Sequence, residues 1–104
     1  MKYFVSYTTR DQEVTKELLQ AFSTKLCSYG EVYIDIINNN SIDKQARVIT
    51  ELDSSDLMLL IESNSIYLSE WVLLEIERAK TKHIPIKILK VKDIITFPDY
   101  IHSK

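Results

Sequence analysis

The feature that most narrows the possible folds is the run Leu57-Met58-Leu59-Leu60-Ile61. A strand with one wet face alternates polar and apolar residues; this run does not alternate. An unbroken apolar stretch of strand length, opened by Ser55-Asp56 and closed by Glu62-Ser63-Asn64-Ser65, predicts a strand covered on both faces. Such strands are central strands of parallel sheets, and parallel neighbours need crossover helices.

The rest of the chain supplies them. Lys2 to Thr8 is β-branched and aromatic and predicts a first strand. Thr9 with Gln12 has capping-box spacing, Asp11 is a second candidate cap, and Val14, Leu18, Ala21, Phe22 and Leu26 recur at helical intervals. The lone glycine, Gly30, sits where a left-handed helix end would use it. Glu31 to Asp35 predicts a second strand. Ile36 to Ser41 is expected to be a loop whose asparagines take positive φ. Ser41 or Asp43 can cap a helix through Leu52, with Ile42, Ala46, Ile49 and Leu52 on one stripe. After the apolar strand and its helix, Ile84 to Leu89 predicts an edge strand, because Pro85 cannot donate to a ladder. Val91 to Lys104 is irregular, broken by Phe97-Pro98, and is expected to form one more short turn or helix. The order is that of an α/β domain: a flavodoxin-like parallel sheet of four strands, five if the tail adds one, with helices on both faces. Residues 1–104 are read as one domain.

Composition excludes several classes. With 13 basic and 15 acidic residues the net charge is −2, and no basic run suggests a nucleic-acid partner. No apolar run reaches the ~20 residues that span a membrane, and the first residues lack a signal peptide's long apolar stretch. One cysteine, Cys27, fits a reducing compartment, so a cytoplasmic location is expected. Cys27 is expected to pack as a small hydrophobe late in the first helix, and His83 to be an ordinary helix-end residue. Two histidines and one cysteine make no metal set, and no Gly-rich phosphate loop or dinucleotide fingerprint is present.

The helix from Ser69 to about Lys82 carries the chemistry. Ser69 is a good N-cap, and Glu70 suits the first turn. At about 100° per residue, Trp71, Val72, Glu75, Ile76 and Ala79 share one sector, while Glu70, Glu77, Lys80 and Thr81 point away. Glu75 is thus a carboxylate on an apolar face, one turn after Trp71, and must be paired, protonated or used. The plain alternative is a boundary carboxylate bonded to a neighbouring loop. Ligands in such folds sit beyond the carboxyl ends of the strands, where 6–11, 36–43 and 63–75 are expected to meet.

In Ser65, Tyr67, Ser69, Trp71 and Glu75 the segment resembles the third helix of Toll/interleukin receptor (TIR) domains. Phe4-Val5-Ser6-Tyr7 followed by Asp11 resembles their first box, and Val32-Tyr33-Ile34-Asp35 the strand before their assembly loop. Ser55-Asp56, Ile84-Pro85-Ile86 and Pro98-Asp99-Tyr100-Ile101 fit further segments in the same order. The loop after Asp35 lacks the Gly and Pro of many TIR domains, and the sequence stops before their last strand and helix. The expectation is a short, bacterial-type TIR-like protein.

What the resemblance implies is cleavage of NAD, as substrate rather than cofactor, by hydrolysis or by cyclisation to an ADP-ribose signal in defence or toxin signalling. In TIR domains that cleave NAD, the Glu at the position of Glu75 is the catalytic residue. Nicotinamide leaves neutral, so one carboxylate and an aromatic wall are sufficient equipment. Tyr7, Tyr33 and Trp71 are aromatic candidates for the substrate site, although a tryptophan here is more often core. Ser6, Thr8, Thr9 and Arg10 could hold ribose or phosphate, and Ser69 stands at the helix start; for Arg10 the alternative is a solvated loop charge. The resemblance also implies self-association, or association with other TIR domains. Two other readings stand beside it: a non-enzymatic TIR adaptor acting through 36–43 and the helix at 43–52, and an enzyme similar to nucleoside deoxyribosyltransferases. A phosphate-receiver domain fits poorly, since its acidic positions hold Thr8-Thr9 and Glu62-Ser63.

Overall fold

A computed structural model describes residues 1–94. Four strands, β1 (Lys2–Ser6), β2 (Glu31–Ile34), β3 (Leu57–Glu62) and β4 (Ile86–Lys90), form one sheet in the order β2-β1-β3-β4. Every pairing is parallel, with Val5 opposite Ile34 and Leu59, and Leu60 opposite Ile88. The apolar run is an inner strand: Met58, Leu59, Leu60 and Ile61 are all buried. β4 lies at the edge, and the carbonyl of Pro85 accepts from the Met58 amide where its ring nitrogen could not donate.

Helices cover both faces. On one, α1 (Lys16–Leu26) lays Leu19, Phe22 and Leu26 on Tyr3, Val5, Leu59, Ile61 and Leu89. On the other, α3 (Lys44–Asp53) and α4 (Glu70–Thr81) bring Val48, Leu52 and Ala79 onto Phe4, Tyr33 and Met58, while Val72 and Ile66 cover Leu60. Between β2 and α3 lies one further short helix, α2 (Asp35–Asn38). Among the described residues the sheet has four strands, and no helix is long and apolar enough to cross a membrane. The chain beyond β4 makes a 3-10 turn at Val91–Asp93. The expectations for Phe97-Pro98, for the Pro98 to Ile101 segment and for a fifth strand lie outside the described residues.

Several local expectations need correction. The N-cap of α1 is Thr15, whose hydroxyl accepts from the Leu18 amide, and not Thr9 or Asp11. Asp11 instead takes the Ser65 amide at 2.8 Å and the Ser65 hydroxyl at 2.9 Å. On that helix Leu19 is buried and Ala21 exposed, against the expected stripe. Gly30 has no positive φ; a Cβ there would stand 2.1 Å from the Met1 carbonyl oxygen, so the glycine serves close backbone approach. No asparagine has positive φ either, because α2 occupies the first part of the expected loop, with the Asn38 side chain accepting from the Ile34 amide and Asn39 donating to Asp35. On α3, capped by Asp43, Val48 and Leu52 face the core, whereas Ile42 is wholly exposed and Ala46 is exposed. Cys27 caps the end of α1 and is exposed, not packed. His83 stands at the end of α4, as expected, but in the left-handed conformation with φ 59°.

Candidate functional site

Strand alternation sets the site. Phe4 faces α3 and α4, Val5 faces α1, and Ser6 turns back toward α4 at the carboxyl end of β1. There the Ser6 hydroxyl donates to Glu75 Oε1 at 2.7 Å, a buried bond across 69 residues of sequence. Ser69 caps α4 through the Val72 amide, which fixes where the helix begins and so which residues look inward one turn later. Glu75 is only 5% exposed, on the same face as buried Val72 and Ala79.

A cavity of about 170 Å³ opens beside it, lined by Phe4, Val5, Tyr7, Thr8, Thr9, Asp35, Trp71 and Glu75. It lies past the carboxyl end of β1, between Asp35 after β2 and the helix α4 that follows β3; in this strand order the switch point falls between β1 and β3. The lining holds two carboxylates and no cationic side chain. Burial pushes the Glu75 carboxyl up to about 7; the Ser6 hydroxyl pulls the other way, and the nearby charge of Asp35 adds to the rise. The Tyr7 phenol is raised to about 12, mainly by burial, then opposed by the Ile36 amide it accepts from at 2.9 Å, with Asp35 and Glu75 adding to the rise. That amide occupies the oxygen and leaves the phenol proton to donate.

Asp35 is anchored from behind. Its Oδ1 accepts from the Tyr33 hydroxyl at 3.2 Å and from Asn39 Nδ2 at 2.7 Å. Tyr33 itself is core: its ring stacks on Phe4 with centroids 5.6 Å apart, and the Arg47 guanidinium lies 5.5 Å from its centre. A shallow groove of about 220 Å³, lined by Asp35, Lys44, Gln45, Val48 and Trp71, adjoins the cavity through the shared Asp35 and Trp71.

Of the residues singled out in the sequence, Tyr7, Thr8, Trp71 and Glu75 line the cavity, and Ser6 touches it through Glu75. Tyr33 reaches it only through Asp35. Arg10 is exposed and its amide donates to Thr8 Oγ1 at 3.3 Å; it is not on the lining. Ser69 acts as a cap and is not on the lining. Of the three expected loops, the first contributes Tyr7 to Thr9, while the second gives no lining residue beyond its threshold, Asp35. Asp35 had been singled out only as a strand end; its place at the carboxyl end of β2 was the signal that could have found it. Among the described residues no three of His, Cys, Asp or Glu come together as metal ligands. No protein-family model matches the chain, and no curated protein matches it.

Proposed function

We propose that this chain is a TIR-like NAD nucleosidase that breaks the nicotinamide–ribose bond of NAD. The observation that carries the reading is a buried carboxylate, Glu75, in a cavity walled by Trp71 one turn before it, beyond the carboxyl end of β1. Nicotinamide leaves with the electron pair of the C1′–N bond and becomes neutral, so no acid is required. Glu75, ionised when the pyridinium enters, accepts a ribose hydroxyl bond and stabilises positive charge growing on the sugar. Ser6 holds one of its oxygens in place. Trp71 and Tyr7 line the cavity and supply aromatic surface for the base. Water then adds at C1′ and loses a proton, or the adenine closes onto C1′ in a cyclisation. The cavity is smaller than the ~300–1,000 Å³ usual for drug-sized ligands, so it takes the nicotinamide ring, with the rest of the dinucleotide in the adjoining groove near Lys44. Resemblance to TIR proteins supports a cytoplasmic role in defence or toxin signalling.

The test is base release from NAD and, in parallel, from deoxynucleosides. Release of nicotinamide, falling by roughly two orders of magnitude or more in Glu75→Gln, is expected. Glu77→Gln, on the exposed face of the same helix, should behave as wild type. A folded Glu75→Gln protein cleaving NAD at the wild-type rate removes Glu75 from the reaction. Release only from deoxynucleosides identifies a deoxyribosyltransferase-like enzyme. Release from neither points to the adaptor reading.

A further inference from the structure

The geometry points to Asp35 as a specificity-determining residue, a second carboxylate that makes this cavity select a cationic ring over its neutral counterpart. The inference rests on reading the cavity as the substrate site. Its grounds are positional. Asp35 lines both the cavity and the groove, and so stands at the passage between them. Tyr33 and Asn39 both donate to its Oδ1, which orients the carboxylate and leaves Oδ2 without a bond from either. Holding a carboxylate with two donors on one oxygen, at the rim of a cavity already containing Glu75, is an arrangement that a neutral ligand does not need.

The groups facing Glu75 from each packed element bear this out. β1 and the turn after it present Ser6 and Tyr7, both uncharged; α2 presents Asp35; α4 itself presents Trp71. The nearby cations belong to α3 and are turned to other partners. Lys44 Nζ donates to the Asn39 carbonyl at 2.8 Å, and Arg47 donates to Glu51 at 2.7 Å and to the Ser41 hydroxyl at 3.2 Å. The charge of Asp35 therefore acts on Glu75 without a compensating cation on the lining, in the direction that keeps Glu75 protonated in the empty cavity. A cationic ring entering between them reverses the balance: it is attracted by Asp35 and favours loss of the Glu75 proton to solvent. A neutral ring gains neither effect. Released nicotinamide is such a neutral ring, so the same device that admits the pyridinium lets the product go.

Binding, rather than turnover, tests this. Isothermal titration of the wild-type chain with the N-methylnicotinamide cation and with neutral nicotinamide should give at least about tenfold tighter binding of the cation, strengthening as pH rises through about 7. Asn at position 35 can still accept from Tyr33 and Asn39, so Asp35→Asn should keep its thermal midpoint while losing most of the preference. The pH at which cation binding strengthens should also fall, a shift that a purely structural role would not produce. Equal binding of both rings by the wild-type chain overturns the inference, with no variant needed. An unchanged preference in folded Asp35→Asn overturns it as well. NAD cleavage without cation preference sinks the role of Asp35 and spares the enzyme; cation preference without cleavage sinks the enzyme and spares Asp35.

Discussion

At the residue scale, Glu75 links the site to stability. Its carboxyl lies near 7 in the folded chain and near its ordinary 4.5 when unfolded, because burial penalises the charge. Between those values the native state holds a proton that the unfolded state has lost. The protonated state's advantage is therefore full below about pH 4.5 and is lost as pH rises through about 7, on the order of 3 kcal/mol in all. Glu75→Gln keeps the Ser6 bond and has no charge to bury, so it should gain on wild type as pH rises. Thermal midpoints at about pH 5 and about pH 8 check this: the gap between variant and wild type widens toward the higher pH. Parallel curves would mean that Glu75 is as comfortable charged as neutral, against its burial. A suitably placed acid on an apolar face was visible from helical spacing alone. What spacing could not supply was Asp35, since its role depends on Tyr33 and Asn39 converging from different positions around the end of β2.

At the element scale, legibility followed the length and strength of the pattern. β3 could be read from its apolar run, and α4 from Ser69 and its inward sector, because burial and capping there are decided by local spacing. The ends of α1 and the course of 36–43 were not legible. Thr9, Asp11 and Thr15 are all chemically competent caps, and only the tertiary bond from Ser65 to Asp11 decides among them. The one glycine was misread for a similar reason: its neighbour is Met1, distant from any local signal until β1 and β2 pair. Gly30→Ala should thus push the Met1 carbonyl off the Glu31 amide, which it meets at 3.0 Å, and destabilise by roughly 1–3 kcal/mol in denaturant titration. The left-handed residue lies elsewhere. Past α4, the His83 amide donates to the Lys80 carbonyl and the Ile84 amide to that of Ala79, a Schellman end in which His83 takes the position glycine favours. His83→Gly relieves the φ of 59° and should raise the thermal midpoint by about 4 °C, from roughly 0.5–1 kcal/mol. A lower midpoint would show that the side chain's contacts outweigh the backbone strain.

At the scale of the whole molecule, the arrangement of elements concentrates chemistry at one end of the sheet and leaves that end sparsely enclosed. Parallel strands place all their carboxyl ends at one edge of the sheet, so Tyr7, Asp35 and Glu75 arrive together there, from the turn after β1, from α2 and from α4. The same geometry gives only a small cavity and an adjoining shallow groove, too little to surround a dinucleotide. Beside the groove stands α3, and just before it Ile42 is fully exposed in the segment between α2 and α3. We expect a neighbouring copy to complete the enclosure, with Ile42 leaving water in the contact. Its burial would be worth ~1.5–3 kcal/mol, enough to move a weak equilibrium. Specific activity should then rise with protein concentration in parallel with the sedimenting mass. Ile42→Asp should need a higher concentration for the same activity while keeping its thermal midpoint, since that side chain supports nothing within one chain. Activity per molecule that stays flat over a wide concentration range, with a monomer in the centrifuge, would mean that the open cavity binds and turns over its substrate alone.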